Sequence, residues 1–448
     1  MNIISRLKTL DGFKGGISPR LSYRNICIVS GLEILMVFIL SGCQGLFYYY
    51  DSYTFLGLLD NLLNFIPDNL RTPIYPLFFD GLRKIAGETA GNILTVLIQV
   101  ALFYISLAIL REICKEIKLN EKITFWLIAF YAIWPPMPTF TCLFMTESLA
   151  AFSFVLQLYL VLRVLRHPSI KLAAAIGLLS IFMVFLRPAF LYILGILAIG
   201  WVIIWIMSPR SSRICITGIC FCLIAGAVVF GYSSLIKNYY GFRAISAVSD
   251  INNYFLLREA KALDPSSTDD ETVKDMFISF QQEEKEFGAD MSDYIKGWRE
   301  VPTITDIIGY AEFHEVISAN IKSHPKEISI ALAKRIKNSS SVPFFYAYKS
   351  EVNPFYVLVY MININFGIYY LFMLIMLIII IRQFRRPRQM PVYTLFLWAS
   401  SAGLAFVSII GAMNDWARLM VPAESAFLLL AALAFRKIKL QKTDAILP

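Results

Sequence analysis

Apolar stretches that approach the thickness of a lipid bilayer recur along this chain and constrain its fold more than any other feature. Hydrophobic residues make up 57% of the 448 positions and charged residues only 16%, too few for the surface of a soluble protein of this size. A membrane helix needs roughly 20 predominantly apolar residues. Ten stretches are candidates: 26–47, 92–110, 123–135, 141–162, 172–187, 189–207, 214–235, 355–381, 391–412 and 416–435. We therefore predict an all-α integral membrane protein with about ten transmembrane helices.

Basic residues are distributed unevenly between the two sets of loops. With the N-terminus inside, one set of loops and both termini hold 22 of the 41 Lys and Arg residues, and the opposite short loops and helix ends hold five. The other 14 lie in the large loop 236–354, where 18 acidic residues outnumber them. This positive-inside asymmetry predicts that both termini are cytoplasmic and that the protein is integral to the inner or plasma membrane. The net charge of +9 is then a topology signal and indicates no nucleic-acid partner.

The predicted spans divide the chain into three blocks. Residues 1–235 carry spans one to seven and a first external loop at 48–91, residues 236–354 form an extracytoplasmic and mostly helical domain, and residues 355–448 carry the last three spans. Apolar positions at helical spacing predict a short amphipathic helix over Thr54–Phe65, with another from about Leu77. The short third span and the direct junction at Arg187-Pro188 predict jointed helices around a water-filled cavity.

Ionisable and polar residues from distant segments converge on the predicted extracytoplasmic face. Because charge near hydrocarbon is costly, such residues usually have a function. With Asp51 as the candidate general base and the arginines as candidate phosphate ligands, the set is Asp51, Arg71, Glu147, Arg187, Asn414, Asp415 and Arg418. The pattern contains no Cys/His ligand spacing, so it indicates no zinc site and no certain cofactor; a divalent metal is left open.

Each of these residues also has an ordinary structural interpretation. Asp51 is suited to cap the helix that starts near Ser52, or to act as a general base that deprotonates an acceptor hydroxyl. The three arginines are either interfacial residues paired with neighbours or ligands of a phosphate, which guanidinium groups bind bidentately. Glu147 is suited to be a counter-ion to one of them, and Glu424 in the last span faces either the cavity or a neighbouring helix.

Several short motifs together resemble the GT-C superfamily of polyprenyl-phosphate-sugar glycosyltransferases. The nearest resemblance is to bacterial relatives of the protein O-mannosyltransferases and the lipid A aminoarabinose transferases. The motifs are Asp51-Ser52-Tyr53, the segment Arg71-Thr72-Pro73-Ile74-Tyr75-Pro76, Thr146-Glu147, Arg187-Pro188, and Ala417-Arg418 followed by Pro422. Ser52 stands where many relatives have a second acid, and Leu419 where many have Tyr.

The resemblance implies a membrane glycosyltransferase that moves a sugar, with inversion, from a polyprenyl-phosphate donor to a hydroxyl of an extracytoplasmic glycan, lipid or protein. It maps the catalytic acid to Asp51 and the donor phosphate to Arg71, Arg187 and Arg418. The supporting or substrate-binding positions are Tyr53, Tyr75, Glu147, Asn414 and Asp415. Two other functions stay open: a polysaccharide polymerase or ligase that uses lipid-diphosphate donors, and a lipid-linked sugar flippase or transporter.

Overall fold

The computed structural model describes residues 22–40, 48, 50–134, 136–207, 211–283, 287, 291–345, 363–384, 392–412 and 416–435. Within these residues the regular structure is helical, apart from an isolated bridge between Pro343 and Asn365. In chain order the helices are α1 (Tyr23–Leu40), α2 (Leu59–Leu63), α3 (Ile74–Ala86), α4 (Glu88–Glu116), α5 (Glu121–Ile133), α6 (Pro136–Cys142), α7 (Glu147–Arg166), α8 (Ile170–Leu186), α9 (Leu191–Met207), α10 (Ser212–Tyr240), α11 (Val248–Ala260), α12 (Glu271–Gln282), α13 (Met291–Ser323), α14 (Pro325–Ser339), α15 (Phe366–Phe384), α16 (Val392–Gly411), α17 (Trp416–Met420) and α18 (Glu424–Phe435).

Six segments of the described chain are long and apolar enough to cross a membrane. These are Glu88–Glu116, Glu147–Arg166, Pro188–Met207, Ser212–Tyr240, Val392–Gly411 and Trp416–Ala434. The pair α5 and α6 gives a seventh if a chain bent by 44° counts as one span. Helices α8 and α15 are apolar but shorter by the same test. The predicted all-helical membrane class is confirmed, whereas the count of ten spans and their orientation stay predictions.

Glycine lets two pairs of membrane helices approach closely. A Cβ atom on Gly218 of α10 would lie 2.2 Å from the ring of Trp201 in α9, and one on Gly177 of α8 would lie 2.4 Å from Phe221 of α10. Lipid tails are as apolar as these side chains, so membrane helices associate through such close packing. The α8–α9–α10 group is thereby fixed, and it holds the junction at Arg187 in place.

The sequence placed several helix boundaries wrongly. The helix predicted over Thr54–Phe65 is a 3-10 helix, Tyr50–Phe55, followed by α2, because Gly57 adopts a φ of 74° that interrupts helical geometry. Helix α3 begins at Ile74 instead of Leu77, since proline is tolerated in a first turn. Glu147, which lies inside the predicted span 141–162, is instead the first residue of α7, because α6 ends at Cys142.

The described residues between α10 and α15 contain a hydrophobic core of their own. Large buried side chains of α11, α12 and α13 pack together there, among them Tyr254, Phe255, Phe277 and Phe313. The domain also contacts the membrane part through Arg335 of α14. Its guanidinium pairs with Glu259 at 2.6 Å and donates to the carbonyl of Ile410 at 2.8 Å, near the end of α16. This contact attaches the domain to the helix that precedes Arg418.

Candidate functional site

The carboxylate of Asp51 is held between two guanidinium groups from opposite ends of the chain. Arg71 Nη2 donates to Oδ1 at 3.0 Å, and Arg418 Nη1 donates to Oδ2 at 2.8 Å. Asp51 lies in the first turn of the 3-10 helix Tyr50–Phe55, but its two oxygens accept from these arginines. The structure therefore brings together three of the residues that the sequence singled out.

Arg71 is oriented by contacts on several sides. Its Nε donates to Thr54 Oγ1 at 2.6 Å, and its guanidinium carbon lies 4.7 Å from the centroid of the Phe55 ring. The backbone before it is fixed by Asp68, whose Oδ1 accepts from the amides of Leu70 and Arg71. A rigid 3-10 helix and a capped turn thus aim one guanidinium at the Asp51 carboxylate.

The second acid of the site, Glu147, is buried with two arginines beside it. Only 1% of the residue is exposed. Its Oε1 lies 3.5 Å from Arg187 Nη1 and 3.7 Å from Arg418 Nε. A buried carboxylate is tolerated only when such partners compensate for lost hydration. Arg418 thereby connects both acids, so Asp51, Arg71, Glu147, Arg187 and Arg418 form one ion-pair cluster, called the charged cluster below.

Proline determines how Arg187 reaches this cluster. Because Pro188 disfavours helical geometry in the residue before it, Arg187 is extended, with φ −147° and ψ 118°. Helix α8 therefore ends at Leu186, and α9 begins after a 3-10 turn over Pro188–Phe190. The break places a charged side chain between two apolar helices, where only 11% of it is exposed.

The two arginines dominate the electrostatics of Asp51. Burial alone would raise the pKa of its carboxyl, but the charges of Arg418 and Arg71, and their hydrogen bonds, lower the pKa to about 2. The carboxylate is therefore ionised at neutral pH. While both arginines are bonded to it, it is also a weak proton acceptor.

The remaining predicted positions differ in their surroundings. Tyr53 is 62% exposed and stacks on Tyr48, with ring centroids 5.0 Å apart. Tyr75 is fully buried, and its hydroxyl donates to Gln99 Oε1 at 3.3 Å. Gln99 in turn donates to the carbonyls of residues 141 and 143, so Tyr75 supports the chain that leads to Glu147. Two further predicted positions, Asn414 and Asp415, lie outside the described residues.

Sequence reasoning missed the residues that hold the loop before Arg71. Ser246 Oγ donates to the carbonyl of Leu70 at 2.6 Å, and Tyr240 Oη donates to the carbonyl of Pro67 at 2.8 Å. The amide of Ala247 donates to the carbonyl of residue 69 at 2.7 Å. Nothing in a single sequence reveals these contacts, because they join a membrane helix end to a loop some 175 residues away by ordinary polar groups.

The charged cluster combines features that suit an anionic ligand. Three guanidinium groups face two carboxylates, which leaves one unit of positive charge in a partly buried place. Guanidinium remains charged when desolvated and binds phosphate oxygens in a forked geometry. An ionised carboxylate lies directly beside those groups. The site can therefore hold a phosphate and place a proton acceptor next to it.

No family model matches the chain, and no curated protein matches it. Among solved structures, it is similar to the archaeal oligosaccharyltransferase AglB from Archaeoglobus fulgidus, in a complex with an inhibitory peptide and a dolichol-phosphate. The identity is 12% and the TM-score 0.43, over 91% of this chain. The chain spans half the length of that protein.

Proposed function

We propose that this protein is a membrane glycosyltransferase of the GT-C type, which transfers a sugar from a polyprenyl-phosphate donor to a hydroxyl group on the extracytoplasmic side. The observation that carries the proposal is the charged cluster. Its residues come from four separate parts of the chain and meet at the ends of apolar helices. Charged side chains next to the hydrocarbon of a bilayer cost free energy, so such a cluster usually has a role in binding or catalysis.

The charge of the cluster favours a lipid monophosphate donor. A sugar linked through one phosphate is a diester with one negative charge, which matches the one unit of positive charge in the cluster. After transfer, the leaving lipid phosphate carries a further negative charge, and preorganised arginines stabilise the charge that develops in the transition state. A diphosphate donor would bring more negative charge than Arg71, Arg187 and Arg418 balance in the presence of two carboxylates.

In the proposed reaction, Asp51 takes the proton of the acceptor hydroxyl. The acceptor oxygen then bonds to the anomeric carbon from the face opposite the phosphate, and the bond from that carbon to the phosphate oxygen breaks with its electron pair. The configuration is inverted, and the lipid phosphate leaves on the arginines. General-base catalysis of this kind requires the carboxylate within hydrogen-bond reach of the hydroxyl.

The ion pairs of Asp51 have a consequence for the order of events. A phosphate that binds Arg71 and Arg418 competes for the same guanidinium groups that now bond to the Asp51 oxygens. Donor binding would loosen these bonds and raise the basicity of the carboxylate, since its low pKa comes from the two arginines. The base would therefore become effective once the donor is in place.

The surface next to Asp51 offers a place for the acceptor. The exposed Tyr53 ring, backed by Tyr48, lies two residues after Asp51 in sequence. Aromatic rings with one polar end are common where a ligand is partly wet.

The test is a reconstituted transfer reaction. Purified protein in lipid nanodiscs is incubated with isotope-labelled polyprenyl-phosphate sugars and candidate acceptors, and products are identified by mass spectrometry. A new glycosidic bond, formed with monophosphate donors and not with diphosphate donors, supports the proposal. Transport of the donor across the bilayer without a new bond would contradict it, and so would activity with diphosphate donors alone.

A further inference from the structure

Four buried polar side chains near the charged cluster have atoms without hydrogen-bond partners in the described part of the chain. The atoms are Tyr131 Oη, Trp134 Nε1, Ser148 Oγ and Glu424 Oε1. The exposed fractions of these residues are 1%, 7%, 2% and 2%. Buried polar atoms in proteins are nearly always bonded, so each exception calls for an explanation. Four such atoms on neighbouring helices call for a single explanation.

The four residues lie on helices that pack against each other. Helix α18, which begins with Glu424, contacts both α5 and α7. The Trp134 ring lies 5.5 Å from that of Phe345, which is 6.1 Å from the ring of Phe427, one turn after Glu424. Phe345 therefore connects the Trp134 ring at the end of α5 with the first turn of α18.

The same group adjoins the charged cluster. Ser148 directly follows Glu147 in the first turn of α7. Arg418 and Glu424 are separated by one 3-10 turn, Val421–Ala423, and that turn packs against α7. The four residues are thus next to the proposed site of the donor phosphate, at the same ends of the membrane helices.

The side chains of these four residues suit a ligand that carries many hydroxyl groups. A carboxyl group and two hydroxyls accept or donate hydrogen bonds, the indole N–H donates one, and two aromatic rings provide apolar faces. A polyprenyl chain would leave all of these atoms unsatisfied, at a cost for each. A sugar, by contrast, has hydroxyl groups on its edges and C–H groups on its faces.

We propose that Tyr131, Trp134, Ser148 and Glu424 form the subsite for the donor's sugar, with the Glu424 carboxyl group exchanging hydrogen bonds with sugar hydroxyls. This inference rests on the proposed function, since it takes the phosphate to lie on the charged cluster. In this subsite Glu424 contributes to selectivity for the sugar, whereas the arginines bind the lipid phosphate that all such donors have in common.

The test separates binding of the sugar from binding of the phosphate. The probes are a short-chain isoprenyl phosphate carrying mannose, glucose, galactose or arabinose, and the methyl diester of the same lipid phosphate, which has equal charge and no sugar. Dissociation constants are measured by calorimetry for the full chain in nanodiscs. The wild-type protein should bind at least one sugar form about ten- to a hundredfold more tightly than the methyl diester, as a few buried hydrogen bonds to the sugar allow.

The variants Glu424→Gln and Tyr131→Phe should each reduce this preference, Glu424→Gln by about tenfold, while affinity for the methyl diester stays within about twofold. Tyr393→Phe is the matched control, because Tyr393 is also buried with an unpartnered hydroxyl but lies at the opposite end of the membrane helices, in the first turn of α16. Its preference should equal that of the wild type. Thermal unfolding of each variant checks its fold, and Tyr131→Phe keeps the test intact if Glu424→Gln fails to fold.

An unchanged preference in both variants would overturn the subsite and leave a water-bridged structural network as the role of the four residues. Equal wild-type affinity for the methyl diester and all sugar forms would also overturn it, with the phosphate site intact. If the wild type binds neither kind of probe, the proposed function fails as well.

Discussion

Arg418 is the residue whose replacement tests the geometry of the charged cluster most sharply. It bonds to Asp51 through Nη1 at 2.8 Å and approaches Glu147 through Nε at 3.7 Å. The planar guanidinium reaches both acids at once, whereas the ammonium of lysine is a single point charge. We therefore expect Arg418→Lys to keep one contact and lose the other, and Arg418→Gln to lose both charge interactions.

The expected losses of stability in the Arg418 variants follow from the burial of Glu147. Glu147 is 1% exposed, and breaking a buried ion pair by removing one partner costs about 3–5 kcal/mol. Since Arg187 still lies 3.5 Å from the Glu147 carboxylate, Arg418→Gln should cost the lower part of that range, about 3 kcal/mol. Arg418→Lys should cost about 1–2 kcal/mol, the value of one charge-assisted hydrogen bond with some compensation.

The assay is thermal unfolding in detergent, followed by donor binding at a temperature where every variant is folded. The control is Lys274→Gln, which removes a cation of the helical domain that pairs with the exposed Glu271 at 2.8 Å within α12. Stability should fall in the order wild type, Arg418→Lys, Arg418→Gln. Arg418→Gln with wild-type stability and wild-type donor affinity would refute the assignment of Arg418 as the link between the two acids.

Three further outcomes follow from the same contacts. Arg71→Ala should weaken donor binding by about tenfold or more through loss of a charge-assisted contact, measured by calorimetry, and unchanged affinity would remove Arg71 from the phosphate site. Ser246→Ala should release the carbonyl of Leu70 and lower transfer several-fold with little change in melting temperature. Ser266→Ala, in the 3-10 helix Pro265–Ser267 of the helical domain, should leave transfer unchanged. Because the folded pKa of Asp51 is lowered from 3.8 to about 2, its stabilisation is complete above pH 4 and lost as pH falls towards 2. Wild type should then lose about 2 kcal/mol more than Asp51→Asn between pH 5 and pH 2; equal losses in denaturant titrations would contradict the ion pairs.

The convergence of the charged residues was predictable from sequence because it depends on topology. Counting basic residues in alternate loops assigns Asp51, Arg71 and Glu147 to one membrane face, and a proline after Arg187 marks a helix end. These are local or compositional signals, and the structure does bring the residues together. The reaction proposed for the cluster depends on the contacts among these side chains, which such signals do not specify.

Pairings within the cluster were not predictable. Arg418 is 367 residues from Asp51 in sequence, and no local pattern states that it bonds to Asp51 and Glu147 at the same time. Helix starts also escaped prediction, since Gly57 interrupts an amphipathic pattern that reads as continuous. The role of Glu424 stayed open for the same reason: whether a buried acid has a partner depends on neighbouring helices, not on its own segment.

The central claim is that Asp51 is the base of a sugar transfer, and single-turnover transfer by Asp51→Asn tests it most directly. The variant is loaded with labelled polyprenyl-phosphate sugar and mixed with acceptor, and Asp60→Asn serves as control because Asp60 pairs with Lys84 in the same loop. We expect Asp51→Asn to retain donor binding and to transfer at least a hundredfold more slowly, as loss of a general base does, while Asp60→Asn matches the wild type. Transfer by Asp51→Asn at the wild-type rate would contradict the account.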